Sequence, residues 1–170
     1  MDLAAYIRDI PDWPQEGVVF KDITPLLASP EGLKQTIDTL AEAYADAGVT
    51  KVMGAEARGF IFGGALAYAL GCGFVPARKP GKLPWETVDA TYALEYGSDT
   101  LEVHADAIGN GQRVIVLDDV LATGGTARAK IELVEHLGGT VVGALFVIEL
   151  TFLSGRDKLS GYDVHALIAY

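Results

Sequence analysis

Hydrophobic positions in this chain follow three rhythms. Val49–Ala55, Phe74–Ala77, Val114–Leu117, Val141–Ile148 and Val164–Ile168 are short, nearly continuous apolar runs. Runs of that length predict strands buried on both faces. Between them the apolar residues repeat every three or four positions. Ser29-Pro30 marks a helix start, with Ser as the cap and Pro at the first helical position. Leu33, Ile37, Leu40, Ala41 and Tyr44 then share one face, and Gly48 supplies the stop. A second helix is predicted over Phe60–Leu70. A third carries Ala127, Ile131 and Val134 on one face and stops at Gly138-Gly139. Strand and helix in alternation predict an α/β fold, a mainly parallel β-sheet flanked by helices on both faces. The third rhythm is strict alternation. Val88, Ala90, Tyr92, Leu94 and Tyr96 alternate, Gly97-Ser98 turns the chain, and Leu101 and Val103 alternate again. That is a β-hairpin inserted between two α/β units, and residues 83–104 read as a flexible loop and hairpin, a candidate lid. Met1 to Leu27 reads as irregular, because Pro11, Pro14 and Pro25 break any long helix, with Val18-Val19-Phe20 either a short strand or an apolar loop.

The most informative stretch runs from Val114 to Ala127. An apolar strand, Val114–Leu117, ends in two acids, Asp118 and Asp119, and Ala122, Thr123, Gly124, Gly125 and Thr126 form a small hydroxyl- and glycine-rich turn into a helix. Ligands of open α/β sheets bind at the carboxyl ends of strands. Such a turn suits a phosphate: glycines allow close approach, threonines offer hydroxyls, and the free N–H groups of a helix start point at the anion. A carboxylate beside a phosphate is repelled, so the acids are matched better to neutral donors such as two sugar hydroxyls. The order predicts a ribose 5-phosphate cradle. No Gly-Lys-Ser/Thr follows the glycines, which excludes a P-loop, and no Gly-x-Gly-x-x-Gly dinucleotide fingerprint is found. Arg58, in Glu56-Ala57-Arg58-Gly59, falls at another strand-to-helix turn. A guanidinium there can meet a pyrophosphate bidentately, or pair with Glu56 instead.

Composition narrows the partners. A chain of 170 residues fits a single domain, residues 1–170, with a sizeable core. Lys and Arg total 13 against 23 Asp and Glu, a formal charge of -10. This argues against nonspecific binding to nucleic acid or an acidic membrane, and makes any anionic ligand depend on a local basic cluster. Arg78, Lys79 and Lys82 form the densest one, in a Pro/Gly-rich loop. One cysteine, Cys72, excludes an intrachain disulfide and fits a reducing, cytoplasmic setting. No apolar run approaches a membrane span. His104, His136 and His165 lack metal-ligand spacing.

Val114–Ala127 resembles the phosphoribosyl-diphosphate signature of type I phosphoribosyltransferases. Gly17-Val18-Val19-Phe20-Lys21-Asp22-Ile23, Glu56-Ala57-Arg58-Gly59-Phe60, the basic loop Arg78–Pro84 and Leu94-Glu95-Tyr96-Gly97 make it similar to the adenine branch of that family, from about Ile10 onward. The resemblance implies transfer of ribose 5-phosphate from 5-phosphoribosyl 1-diphosphate to adenine, giving AMP and diphosphate, with Mg²⁺ held mainly by substrate oxygens and water and no protein metal site. It makes residues 1–28 a hood over the base, with Phe20 and Val120 on the two purine faces and the Val19 backbone at the ring edge. It assigns Ala122–Thr126 to the 5-phosphate, Asp118 and Asp119 to the ribose hydroxyls, and Arg58, Arg78, Lys79 and Lys82 to the diphosphate. Glu95 becomes the acid/base group at the adenine, Tyr96 helps close the lid, and a homodimer is expected. Lys21 stands where the family frequently has arginine. Two other readings stay open at this point: transfer to a different purine base, and a non-catalytic regulator on the same fold. Against operator binding by such a regulator stand the net charge and the lack of a helix-turn-helix extension.

Overall fold

In a computed structural model, which describes residues 1–94 and 96–170, the apolar runs close into one five-stranded sheet. A single 3₁₀ turn, Leu3–Tyr6, leads into β1 (Arg8–Pro11) and β2 (Val19–Asp22), followed by the short α1 (Thr24–Ala28) and by α2 (Pro30–Glu42). Then come β3 (Lys51–Ala55), α3 (Arg58–Leu70), β4 (Gly73–Ala77), the hairpin β5 (Thr87–Ala93) and β6 (Ser98–His104), and β7 (Arg113–Leu121). The chain continues through α4 (Gly125–His136), β8 (Thr140–Glu149) and β9 (Val164–Ala169). The sheet order is β4-β3-β7-β8-β9, and all neighbours are parallel.

From β3 the chain crosses over α3 to β4 on one side, and from β7 it crosses over α4 to β8 on the other. The order therefore reverses between β3 and β7. Their following helices lie on opposite faces: Phe62 and Leu66 of α3 pack in one apolar layer, Ile131 and Val134 of α4 in the other. Divergence of the two helices leaves a crevice beyond the carboxyl ends of β3 and β7, the ligand position of open parallel sheets. The buried strand residues Ile115, Val116 and Leu117, each 0% exposed, supply apolar side chains to both layers, so the sheet needs no alternating polar face.

Three expectations are revised. Met1–Leu27 is not irregular throughout: β1 and β2 form an antiparallel ribbon with Ile10 opposite Phe20. Of the two readings open for Val18-Val19-Phe20, the strand is the one found, as the start of β2, whereas β1 carries too little pattern to be read from sequence. Lys21 on this ribbon contacts Asp9 at 2.7 Å and stands 3.7 Å over the Tyr170 ring, so it ties the ribbon to the residue after β9. Secondly, β7 runs on through Asp118 and Asp119 to Leu121 instead of ending before the acids, because β8 pairs with it as far as Glu149. Thirdly, the 83–104 segment is not free along its length. Ala90, Leu101 and Val103 are buried in the core that includes α4, while Trp85 at 66%, Leu94 at 47% and Tyr96 at 88% are exposed. Glu95 lies outside the described residues.

The end of α2 is fastened to the sheet by the buried Tyr44, whose hydroxyl donates to Asp163 at 2.7 Å. Its ring lies over Gly143 of β8, where an added Cβ would come within 2.5 Å of the hydroxyl and 2.6 Å of the ring carbon bearing it. Gly143→Ala is therefore expected to destabilise the protein by about 1–3 kcal/mol through overpacking, read as a lower urea midpoint at unchanged slope.

Candidate active site

The crevice between β3 and β7 is a cavity of about 390 Å³. Its floor is the end of β7. Asp118 and Asp119 both line it, as do Val120 and the whole Ala122–Thr126 turn. Consecutive strand residues point to opposite faces, and the two acids accordingly meet different helices. Asp118 Oδ2 accepts from Lys130 Nζ of α4 at 2.8 Å. Asp119 Oδ2 lies 2.8 Å from Arg58 Nε at the start of α3. That approach is coulombic without hydrogen-bond alignment, so Asp119 Oδ2 is a buried acceptor with no hydrogen bond among the described residues. Burial, and then the neighbouring Asp118 charge, push the Asp119 carboxyl up from 3.8 to about 6, against the pull of Arg58.

The turn after β7 is shaped by backbone, not by side chains. Gly124 has φ +85°, and a Cβ there would meet the Gly155 carbonyl oxygen at 2.5 Å. Both the left-handed backbone and the contact require glycine. No side chain caps α4, so the N–H groups of its first turn stay available to an anion. Thr126 Oγ1 donates to the Tyr92 hydroxyl at 3.2 Å, which links the turn to the hairpin.

The walls bring aromatic rings, among them Phe20, and three cations, Lys21, Arg58 and Lys79. Phe20 of β2 lines the cavity, edge-on to Trp13 with ring centroids 4.5 Å apart, and Arg58 sits 5.2 Å from its ring centroid. Val19 and Lys21 lie on the same wall. Lys79 also lines the cavity and pairs with Asp99 of β6. Glu56, just after β3, gathers the rest of the basic loop. It accepts from the Lys79 N–H at 2.6 Å and from Lys82 Nζ at 3.0 Å, and lies 3.5 Å from Arg78 Nε. Burial pushes the Glu56 carboxyl up, but these donors and charges outweigh it and hold it below the ordinary range.

Residues 22–166 match the model of the phosphoribosyl transferase domain family. The chain is 58% identical over 168 residues to an adenine phosphoribosyltransferase of Solidesulfovibrio magneticus, covering 99% of this chain and 98% of that one. Its structure superimposes on the adenine phosphoribosyltransferase of Thermoanaerobacter pseudethanolicus with TM-score 0.96 at 53% identity, covering 99% and 98% of the two chains. A Saccharomyces cerevisiae adenine phosphoribosyltransferase, crystallised with adenine and an imino-altritol bisphosphate, gives TM-score 0.92 at 45% identity over 98% of this chain and 96% of that one. The chain belongs to the adenine phosphoribosyltransferase family.

Of the residues that the family resemblance singles out, Val19, Phe20, Arg58, Lys79, Asp118, Asp119, Val120 and the Ala122–Thr126 turn stand together around one cavity. Arg78 and Lys82 do not line it, being turned onto Glu56. Tyr96 stands in solvent at the hairpin tip. Arg58 pairs with Asp119 and not with Glu56, because the start of α3 is directed toward the neighbouring β7.

Three contributors escape a reading by motif. Glu56 organises the basic loop from 23 positions away. Gly155, expected in a surface loop, is buried beneath the Ala122–Thr126 turn, and a Cβ on it would strike the Ala122 carbonyl. Lys130 is 0% exposed. Of the three, Lys130 alone leaves a trace in the pattern: it falls on the α4 face of Ala127, Ile131 and Val134, where a charge needs a buried partner.

Folding raises the Asp119 carboxyl to about 6, so the folded state holds that proton more tightly than the unfolded chain. The resulting stabilisation is complete below pH 3.8 and is lost as pH rises through about 6. In ligand-free protein, Asp119→Asn should therefore be about 1–3 kcal/mol more stable than the parent at pH 7.5, with the difference shrinking toward pH 4.5. Urea unfolding of both proteins across that range checks the slope.

Proposed function

We propose that the cavity holds 5-phosphoribosyl 1-diphosphate and adenine, and that the protein joins adenine N9 to the sugar C1 with departure of diphosphate, giving AMP in purine salvage. One observation carries this reading. A glycine- and hydroxyl-rich turn, an acid pair with an unsatisfied buried acceptor, and the side chains of Phe20 and Val120 line a single cavity at the point where the strand order reverses. The 5-phosphate takes the Ala122–Thr126 turn and the start of α4. The ribose hydroxyls donate to Asp118 and Asp119, and one of them satisfies Asp119 Oδ2. The purine lies between Phe20 and Val120, with its edge against the Val19 backbone.

Bond exchange at C1 builds positive charge on the sugar and negative charge on the leaving diphosphate. Arg58 and Lys79 are positioned to neutralise the latter. In the ligand-free protein each rests on a carboxylate of its own, Asp119 and Asp99 respectively, and the diphosphate replaces those partners. Arg78 and Lys82 join it only by leaving Glu56. Mg²⁺ fits this donor set through the substrate: Asp118 and Asp119 are engaged by Lys130 and Arg58, so diphosphate, ribose and water oxygens are the ligands on offer. When bound, it supplies Lewis-acid neutralisation of the diphosphate. Glu95 takes or relays the proton that N9 gives up, and Tyr96 closes the hairpin tip over the site.

A second copy of the chain is the expected partner. Ile61, 45% exposed, and Tyr68, 91% exposed, lie two turns apart on one side of α3 and give it an apolar outer face. No helix among the described residues is long and apolar enough to cross a membrane, and the single cysteine fits a cytoplasmic enzyme.

Stacking accepts any purine, so selection rests on edge hydrogen bonds, where a mismatch leaves a buried group unpaired. Adenine should be strongly preferred over hypoxanthine, and Phe20→Ala should raise the adenine KM more than it alters that preference. Equal conversion of the two bases to nucleotide by the parent enzyme, in the presence of Mg²⁺, overturns the adenine reading. Glu95→Gln should lower kcat by about 10²–10⁴-fold with adenine binding largely kept. Full kcat in that variant, with chemistry rate-limiting, removes Glu95 from the mechanism.

A further inference from the structure

Lys130 takes no part in the chemistry above, yet it is wholly buried. Its helix neighbours Ala127, Ile131 and Val134 belong to the apolar core. An ammonium in such surroundings is strongly disfavoured unless its donors and its charge are matched. Nζ donates to the Leu117 carbonyl at 2.7 Å and to Asp118 Oδ2 at 2.8 Å. Filling the space does not require a charge, since a methionine has nearly the same reach.

What the charge serves is visible from its partner. Asp118 lines the cavity beside a second carboxylate, and like charges so close resist joint ionisation. The charged groups facing the pair among the described residues come from every side. Lys130 comes from α4 and Arg58 from the start of α3, while Glu56 after β3, Lys79 of the basic loop and Lys21 of the ribbon line the same cavity. The strand β8 contributes the apolar Phe146 opposite Asp118. Only Lys130 and Arg58 pair with the two acids, and they differ in freedom. The Arg58 side chain is 41% exposed and can turn to another anion; that of Lys130 is 0% exposed and cannot. On the other flank, a Cβ on Gly59 would lie 2.8 Å from Asp118 Oδ1, so the carboxylate is confined from the α3 side as well.

We propose that Lys130 is a positioning residue, the fixed counter-ion that keeps both charges on the acid pair and holds Asp118 toward the ribose while Arg58 turns from Asp119 to the diphosphate. It acts through Asp118 and touches no substrate atom. The inference rests on the ribose-binding role assigned to the acid pair above.

The test measures calorimetric binding of 5-phosphoribosyl 1-diphosphate, with Mg²⁺, between pH 5.5 and 9. The proteins are the parent, Lys130→Met, Asp118→Asn and the double variant. In Lys130→Met the binding midpoint should move up by about 1–3 pH units. Affinity at neutral pH should then fall about tenfold for each unit by which the midpoint passes the assay pH, and recover toward pH 9. In the Asp118→Asn background the same change should cost less than about twofold, because the residue through which Lys130 acts is already neutral. If Lys130→Met does not fold, the double variant, which lacks both charges of the pair, still decides. Affinity equal to that of Asp118→Asn supports the proposal, and a further loss overturns it. Weakened binding by Asp118→Asn together with an unshifted pH profile in Lys130→Met overturns the role of Lys130 alone. Binding by Asp118→Asn as tight as by the parent overturns the ribose reading, and this proposal with it.

Discussion

Two carboxylates on consecutive residues of a buried strand must each find a counter-charge, and much of the site follows from that demand. Asp118 and Asp119 sit where β7 runs past its pairing with β3, and strand geometry sends them to opposite faces. One face carries α4, which answers with Lys130; the other carries the start of α3, which answers with Arg58. The match is incomplete on the second side. Asp119 keeps an acceptor without a hydrogen bond, and its carboxyl is pushed up to about 6. An under-satisfied buried acceptor is one that hydroxyl donors can complete, which is what the proposed ribose contact would do.

That demand can be met only because of the topology. Reversal of the strand order between β3 and β7 puts α3 and α4 on opposite faces with their N-terminal ends beside the same crevice. One N-terminus brings Arg58 and the other brings the uncapped turn at Gly124–Gly125. Had both crossovers run to the same side, the two helices would share a face and one acid would lack a partner. The turn itself stands on Gly155, whose missing side chain lets the backbone close beneath Ala122 and Gly124.

The cations of the site rest on the protein's own carboxylates. Asp119 holds Arg58, Asp99 holds Lys79, and Glu56 collects Lys82 with the Lys79 N–H. With a net charge of -10 the chain has carboxylates to spare, and under the proposed function a diphosphate would take the place of these partners. The hairpin is joined to this arrangement: Asp99 lies on β6, and Tyr92 of β5 reaches Thr126 in the turn after β7. Its base is fixed by Ala90, Leu101 and Val103 in the core.

By itself the sequence determined what depends on local pattern. The apolar runs of β3, β4, β7, β8 and β9, the spacing of α2 and the order strand, acids, glycine turn, helix are each readable within a few residues. They were enough to specify the α/β class and, by resemblance, the family, and to propose a phosphate cradle. Asp118, Asp119, Arg58 and the Ala122–Thr126 turn were legible because residue type and position coincide at strand ends. Only the tertiary structure decided how far β7 runs, since its last residues are strand by virtue of pairing with β8. It also decided that Arg58 meets Asp119, that Glu56 draws Arg78 and Lys82 off the cavity, and that Gly155 supports the turn. Lys130 falls between the two: the pattern places a charge on a buried helix face, but its partner is a strand residue 12 positions earlier. Pairing between elements is settled by which helix covers which face of the sheet, a long-range outcome that no local spacing encodes.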